Sequence, residues 1–233
     1  MKVIAVIPAR GGSKRIPKKN IIDFMGKPMI AWTIKAAYES KIFDRVIVST
    51  DDIEFATISK QYGCDVPFLR DTSSDDMSPV SLATIRAVEQ AEKFYNEEYE
   101  IVVQLMANTP LRTAKDIIKH YNNFLEENNN FQISSFKLGW MNPWWSFKLN
   151  EKENHEWMFP EGFNKRSQDL PNLYCPTGAI WISKVNLLKK SNTFYGPNFN
   201  FCEIDWKSAV DIDDYDDLDF ASTLYKFKNK ILK

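Results

Sequence analysis

The chain has 233 residues, and 30 basic against 31 acidic residues leave a formal net charge of −1 at neutral pH. A chain of this length forms one large domain, or one domain with an insertion, and buries a substantial core. The balanced charge excludes the strong overall field that attracts nucleic acid or a membrane surface. The three cysteines lie far apart without metal-ligand spacing, which favours a reducing cytoplasm. The first strand begins near Val3 and no apolar run reaches membrane length, so we expect neither signal peptide nor membrane span.

Strand and helix patterns alternate through the first 137 residues. The predicted strands cover residues 3–7, 45–50, 64–69, 100–106 and 131–136. The predicted helices begin at Pro28, near Ile53, at Pro79 and after the capping sequence at 113–116, with a loop at 71–78. This alternation predicts an α/β fold with a largely parallel sheet and helices on both faces.

The alternation stops at an aromatic-rich segment, residues 139–176, that contains Trp140, Trp144, Trp145 and Trp157. A long irregular segment of this kind is usually functional or part of an interface. The alternative is that its aromatic residues pack a β-excursion against the main sheet. Regular structure is predicted again from residue 179, with a strand, a short helix, and a final strand, loop and helix from residue 201.

A basic loop follows the first predicted strand. Five cationic side chains lie between Arg10 and Lys19, beside Gly11 and Gly12. Flexible backbone with exposed amides and concentrated positive charge is suited to a polyphosphate, and ligands gather where parallel strands end. The loop matches neither of the common glycine-rich phosphate fingerprints. A solvated basic loop therefore remains the alternative interpretation.

Six aspartates stand within nine positions near the end of the chain. In extended backbone Asp211 and Asp213 project to the same side, and such a pair can bind Mg²⁺. Asp214, Asp216 and Asp217 are predicted to start the last helix, where negative charge complements the helix dipole. The basic loop and the carboxylate pair would meet at one cleft, a combination suited to nucleotidyl or phosphoryl transfer.

Taken together, the motifs resemble the CMP-sialic acid synthetases, or acylneuraminate cytidylyltransferases. The matching segments are residues 7–14 with 17–20, then 26–30, 48–52, 66–70, 109–112, 168–171, 178–180 and 210–213. The resemblance implies a Rossmann-like nucleotide-diphospho-sugar transferase fold and a homodimer, with residues 139–176 reaching the partner and the sugar site. It also implies Mg²⁺-dependent joining of CTP to an acidic nine-carbon α-keto sugar, which gives a CMP-sugar and pyrophosphate.

The resemblance also implies roles for individual residues. Arg10, Lys19 and Asp213 would be catalytic, and Asp211 and Asp213 would hold Mg²⁺. Asn20 and Arg70 would contact the cytidine. The full CTP-binding set would be Ala9, Arg10, Gly11, Ser13, Lys19, Asn20 and Arg70.

The sugar-binding segments depart from the family pattern. Met106 stands where a Gln is common, with Gln104 two residues earlier on the same face, and Cys175 replaces a frequent Arg. Cysteine cannot pair with a carboxylate as a guanidinium does. The candidate sugar ligands are therefore Gln104, Arg166 and Gln168. These departures favour a modified bacterial nonulosonate over sialic acid itself.

The residues are also compatible with two other functions. An Asp-x-Asp pair also serves metal-dependent glycosyltransferases, although these start from nucleoside diphosphate sugars and need no triphosphate loop. Because of the departures at the sugar site, a catalytically silent nucleotide-binding homologue is the second alternative. His120 and His155 carry no supporting motif, and we expect both at the surface.

Overall fold

The computed structural model describes residues 1–71, 79–139 and 141–230. Its strands are β1 Val3–Pro8, β2 Asp23–Phe24, β3 Lys27–Pro28, β4 Arg45–Ser49, β5 Ile101–Gln104, β6 Phe131–Lys137, β7 Phe147–Leu149, β8 His155–Trp157, β9 Tyr174–Lys184 and β10 Asn200–Glu203. Its α-helices are α1 Met29–Ser40, α2 Ile53–Gln61, α3 Val80–Tyr95, α4 Ala114–Glu126, α5 Val185–Ser191 and α6 Tyr215–Lys228. The predicted α/β fold is confirmed.

Six strands form the central sheet, in the order β10-β6-β9-β5-β1-β4. β1 pairs in parallel with β4 and β5, whereas β9 runs antiparallel between β5 and β6. All six residues of β1 are buried, as expected for a strand covered on both faces. Separate apolar clusters pack on the two faces of the sheet, with Ile34 and Phe124 in one and Val88 and Leu188 in the other.

The prediction of a strand at residues 64–69 is wrong. Asp65 alone forms a bridge, to Ile47 of β4. Pro67, two residues further on, has no backbone N–H to continue the ladder, so pairing stops. The chain nevertheless stays beside β4, because the Arg70 amide donates to the Thr50 carbonyl at 2.7 Å. The loop predicted at 71–78 lies almost wholly outside the described residues.

The aromatic-rich segment forms its own small sheet, the antiparallel pair β7–β8. Trp157 contacts Phe163 with ring centroids 4.2 Å apart, while Phe147 and Leu149 are exposed. Trp140 lies outside the described residues. The dimer contact assigned to this segment stays a prediction.

The expectation that His120 is a surface residue is wrong. Its ring is fully buried on α4, with Nδ1 2.8 Å from the Asp116 carbonyl oxygen and Nε2 3.2 Å from the Cys202 carbonyl oxygen, so protein rather than solvent surrounds it. Burial lowers the pKa of His120. His155 is exposed, as expected. No helix in the described part of the chain is both long and apolar enough to span a bilayer.

Candidate active site

A cleft of about 560 Å³ opens at the carboxyl ends of β4, β1 and β5. It lies where the parallel strands end, which is the usual ligand position in α/β sheets. The predicted site residues that line this cleft are Arg10, Ser13, Lys19, Asn20, Arg70, Asp211 and Asp213. Segments from opposite ends of the sequence therefore face one volume, as the basic loop and the carboxylate pair were predicted to do.

The first turn of the basic loop is fixed by the end of β4. The amide of the buried Ala9 donates to the Ser49 carbonyl at 2.9 Å, and the Gly11 amide donates to Asp51 Oδ1 at 3.2 Å. A Cβ on Gly11 would lie 2.7 Å from Asp52 Oδ2, so a side chain at residue 11 would displace the loop or the aspartate. Ala9 and Gly11, both predicted to bind CTP, therefore attach the loop to the segment at the end of β4.

Two cations of the loop converge on one carboxylate. Lys19 Nζ lies 2.6 Å from Asp213 Oδ1, and Arg15 Nη2 lies 2.7 Å from Asp213 Oδ2. The neighbouring Lys18 instead pairs with Glu54 on α2 at 2.5 Å. The loop therefore divides its charge, with Lys19 and Arg15 inside the cleft and Lys18 outside it.

The carboxylate pair is held by the segment between β10 and α6. Ile212 is fully buried, and its amide donates to the Asn108 carbonyl at 2.9 Å, so its two neighbours both turn toward the cleft. The Asn108 amide nitrogen donates to Asp211 and to the Ile212 carbonyl. Asn108 thereby fixes the position of Asp211. The sequence interpretation missed this residue, although it stands just after the end of a strand that lies next to β1.

The two carboxylates differ in acidity. The Asp211 residue is exposed, but protein atoms surround its carboxylate on several sides. The resulting desolvation and the neighbouring Asp213 raise the pKa of Asp211 to about 6. Desolvation also acts to raise the pKa of Asp213, but its hydrogen bonds and attraction to Lys19 and Arg15 outweigh that effect and lower it. The structure thus offers one carboxylate that stays ionised and one that ionises near neutral pH.

The other aspartates of the cluster start the last helix, as predicted. Asp214 is the N-cap of α6 and forms a reciprocal capping box with Asp217, while Asp216 lies in the first turn. These three carboxylates stabilise the start of the helix. Their role is therefore structural, unlike that predicted for the pair that faces the cleft.

A buried arginine forms the opposite end of the cleft. Arg70 is 7% exposed, and within the described residues its Nε and Nη2 have no hydrogen-bond partner. Burial lowers the pKa of Arg70, and Arg10 adds to that effect, while Asp51, 3.6 Å from Nη2, opposes it. Burying donors without acceptors is costly, and this arginine lines the cleft. Asp51, which contacts both this arginine and the Gly11 amide of the basic loop, was also missed as a site residue from the sequence.

The three candidate sugar ligands do not line the cleft. Gln104 is fully buried beneath the floor, where its Oε1 accepts from Thr84 Oγ1 at 2.6 Å. Arg166 and Gln168 are exposed in the aromatic-rich segment, and Arg166 pairs with Asp169 at 2.7 Å. Sugar contacts by these residues stay predictions.

The fold and site define an α/β protein with a cleft, lined by several cationic side chains, at the ends of its parallel strands. The sequence profile of the family described as Cytidylyltransferase matches residues 4–150. The chain is 36% identical over 232 residues to "Pseudaminic acid cytidylyltransferase" of Campylobacter jejuni, with 99% of each protein covered. It is 31% identical to "CMP-N,N'-diacetyllegionaminic acid synthase" of Legionella pneumophila, covering 84% of this chain and 83% of that protein. The chain therefore belongs to the cytidylyltransferase family, a family of nucleotidyltransferases.

A solved structure supports the fold independently. CMP:2-keto-3-deoxy-manno-octonic acid synthetase, in complex with CTP, superposes with a TM-score of 0.71 at 17% identity. The superposition covers 98% of this chain and all of that one. At so low an identity the likeness establishes the shared architecture alone.

Proposed function

We propose that this enzyme joins CTP to a nonulosonic acid, an acidic nine-carbon α-keto sugar, and releases pyrophosphate. One observation carries the proposal most directly. The cleft has a cationic loop at its centre, a carboxylate pair beside it, and a buried guanidinium with unsatisfied donors at one end. The relatives named for pseudaminic and legionaminic acid indicate the class of sugar.

The nucleotide half is supported by the charge distribution. Arg10 and Lys19 line the cleft, where they would neutralise the triphosphate. The Arg70 guanidinium would donate to acceptor atoms of a cytosine ring, and Asn20 also lines the cleft. Charge that develops on the departing pyrophosphate would be stabilised by Lys19, which is already oriented by its pair with Asp213.

The carboxylate pair would supply the protein ligands of Mg²⁺. Asp211 and Asp213 offer hard oxygen ligands on one side of the chain, and Mg²⁺ is usually held by one or two carboxylates together with substrate phosphates. Within the described residues no group of three or more His, Cys, Asp or Glu is arranged to hold a metal. The remaining ligands would then come from CTP and water. Bound Mg²⁺ would polarise the α-phosphate and neutralise its charge.

The transfer itself follows from these positions. The anomeric oxygen of the sugar would form a bond to the α-phosphorus, and the bond between that phosphorus and the oxygen bridging to the β-phosphorus would break. Pyrophosphate would leave with that oxygen, and the hydroxyl proton would pass to solvent. Asp213 has a lowered pKa and two cationic partners, so its contribution to activating the hydroxyl is electrostatic rather than that of a strong base. The family-derived homodimer would add the partner's aromatic-rich segment to the sugar side.

Adjacent lysines provide a matched test of the proposed function. The protein is incubated with CTP, Mg²⁺ and a panel of nonulosonic acids, and pyrophosphate release is measured. We expect Lys19→Gln to lower kcat/KM about 10²- to 10³-fold, because it removes a charge that faces the cleft. Lys18→Gln, whose lysine pairs with Glu54 outside the cleft, should retain near wild-type activity.

Two outcomes contradict the proposal. Folded wild-type protein that binds CTP and releases no pyrophosphate with any acid in the panel would favour the catalytically silent homologue. Equal losses in the two lysine variants would show that loop charge in general, rather than Lys19 in the cleft, supports activity. A glycosyltransferase would instead act on a nucleoside diphosphate sugar, and family membership argues against that alternative.

A further inference from the structure

Arg70, at the base end of the cleft, stands in a segment that forms neither strand nor helix. Residues 66–71 run beside the end of β4, where the Arg70 amide donates to the Thr50 carbonyl at 2.7 Å. Such a segment lacks the ladder of hydrogen bonds that fixes a strand. The direction of the Arg70 side chain therefore depends on what holds the residues next to it.

Helix α3 holds the residues on both sides of Arg70. Arg86 Nε and Nη2 donate to Asp71 Oδ1 and Oδ2 at 3.0 and 2.6 Å. One turn further along the helix, Gln90 Nε2 donates to the Leu69 carbonyl at 3.3 Å. Arg86 and Gln90 are four positions apart and therefore lie on one face of α3. That face holds both sequence neighbours of Arg70.

The same helix forms part of the cleft wall. Val80 and Ala83, near its start, line the cleft. Ala83 precedes Arg86 by three positions and Gln90 by seven, so all three lie along one face of the helix. Val88 is buried in the apolar cluster that packs on the sheet, which fixes the helix in place. Helix α3 therefore connects the cleft wall with the irregular segment beside β4.

The pair between Arg86 and Asp71 fixes a direction as well as a distance. Its two hydrogen bonds join one edge of a planar guanidinium to both carboxylate oxygens, an arrangement that adds geometric specificity. Both side chains are exposed to solvent, so the pair adds little to the stability of the whole fold. Its main effect is therefore local, on the orientation of the residue that precedes Asp71.

We propose that Arg86 is a positioning residue for nucleotide binding, which holds Asp71 and thereby aims the adjacent Arg70 at the base. The inference rests on the proposed function and adds to it a residue outside the cleft. Arg86 is not among the described residues that line the cleft, so its effect on the nucleotide passes through Arg70. Without the pair, Arg70 would sample more directions in the free protein, and ordering it would cost binding free energy.

The test measures nucleotide binding by calorimetry, with thermal unfolding and pyrophosphate release in parallel. The Kd values for CTP, CMP and pyrophosphate are determined for the wild type, Arg86→Gln, Arg86→Lys, Arg70→Met and the double variant Arg86→Gln/Arg70→Met. Arg86→Lys keeps the charge but loses the two-bond geometry. Arg45→Gln is the matched control, because Arg45 makes the same kind of pair with Glu97, at 3.3 and 3.0 Å, at the opposite end of β4.

We expect both Arg86 variants to raise the Kd for CTP and for CMP about 3- to 10-fold, because the coupled group binds the base that the two ligands share. The Kd for pyrophosphate and the kcat at saturating CTP should stay near the wild-type values. Arg86→Gln should cause no further loss in the Arg70→Met background, and Arg45→Gln should bind both nucleotides normally.

Three results would overturn the inference while turnover by the wild type leaves the proposed function intact. They are unchanged CMP binding in Arg86→Gln, additive losses for Arg86→Gln and Arg70→Met, and an equal loss in Arg45→Gln. The second would show that Arg86 acts without Arg70, and the third would assign the effect to a general loss of ion pairing. A wild type that neither binds CTP nor releases pyrophosphate with any acid would overturn both.

Discussion

Replacing Asp211 by Asn should stabilise the protein while it abolishes turnover. The raised pKa of Asp211 means that the folded protein holds its proton more tightly than the unfolded chain does. Stability associated with this group is fully present below the ordinary pKa of 3.8 and is lost as pH rises through about 6. At neutral pH the ionised carboxylate therefore lowers the free energy of unfolding, and the neutral amide of the Asp211→Asn variant would not carry that cost.

The magnitude follows from the pKa and the exposure of the side chain. The difference between about 6 and 3.8 corresponds to about 3 kcal/mol before solvent screening. Because water in the cleft reaches the carboxylate, we reduce this to about 1 kcal/mol, or about 2–4 °C in Tm. The isosteric amide keeps an oxygen that can accept from Asn108.

Thermal unfolding from pH 4.5 to pH 8 tests this reasoning, with Asp213→Asn as the matched control. Asp213 has a lowered pKa and pairs with Lys19 and Arg15, so its stabilising contribution is present above its ordinary pKa and lost in acid. Asp213→Asn should therefore lower the Tm at pH 7.5, whereas Asp211→Asn should raise it, with a gain that shrinks toward pH 4.5. A lower Tm for Asp211→Asn at pH 7.5, or a gain independent of pH, would refute the account.

Three further predictions concern the loop, the base end and the dimer. Gly11→Ala should weaken CTP binding about 10-fold in calorimetry because its Cβ meets the carboxylate that caps α2, whereas Gly12→Ala, with open space around its Cβ, should bind normally. Arg70→Met should weaken CTP binding about 10- to 100-fold without lowering Tm, since it removes buried unsatisfied donors; a large fall in Tm would contradict this. Phe147→Ser, on the exposed hairpin, should convert the predicted dimer to monomer in light scattering, while the equally apolar exposed Phe227→Ser should not; equal masses would argue against an interface there.

The parts of the fold that could be predicted from sequence are those set by local patterns. Buried β1 reads as a continuous apolar run, and alternation along extended backbone correctly turned Asp211 and Asp213 to one side. The capping sequence at Thr113 and the acidic start of α6 are likewise short-range signals. Each of these predictions depends on residues within a few positions of one another.

The parts that could not be predicted depend on contacts between distant segments. Nothing near Asn108 in the sequence indicates that it binds a carboxylate 103 positions away, and the antiparallel insertion of β9 has no local signature. The burial of His120 was not predicted because one of the two carbonyls beside its ring comes from β10, 82 residues away in the sequence. Gln104 was predicted as a sugar ligand because it lies on the same strand face as Met106. In the structure Met106 lines the cleft, while Gln104 is buried and contacts the Met106 sulfur.

The fate of the CTP phosphates tests the central claim most directly. In ³¹P NMR of the wild-type protein with CTP, Mg²⁺ and a nonulosonic acid, we predict that the three CTP resonances give way to one phosphodiester signal and the signal of pyrophosphate. The phosphodiester would carry the sugar, joined through its anomeric oxygen to the former α-phosphate. Accumulation of CDP and inorganic phosphate, or CTP that persists unchanged beside folded protein and every acid offered, would contradict the account.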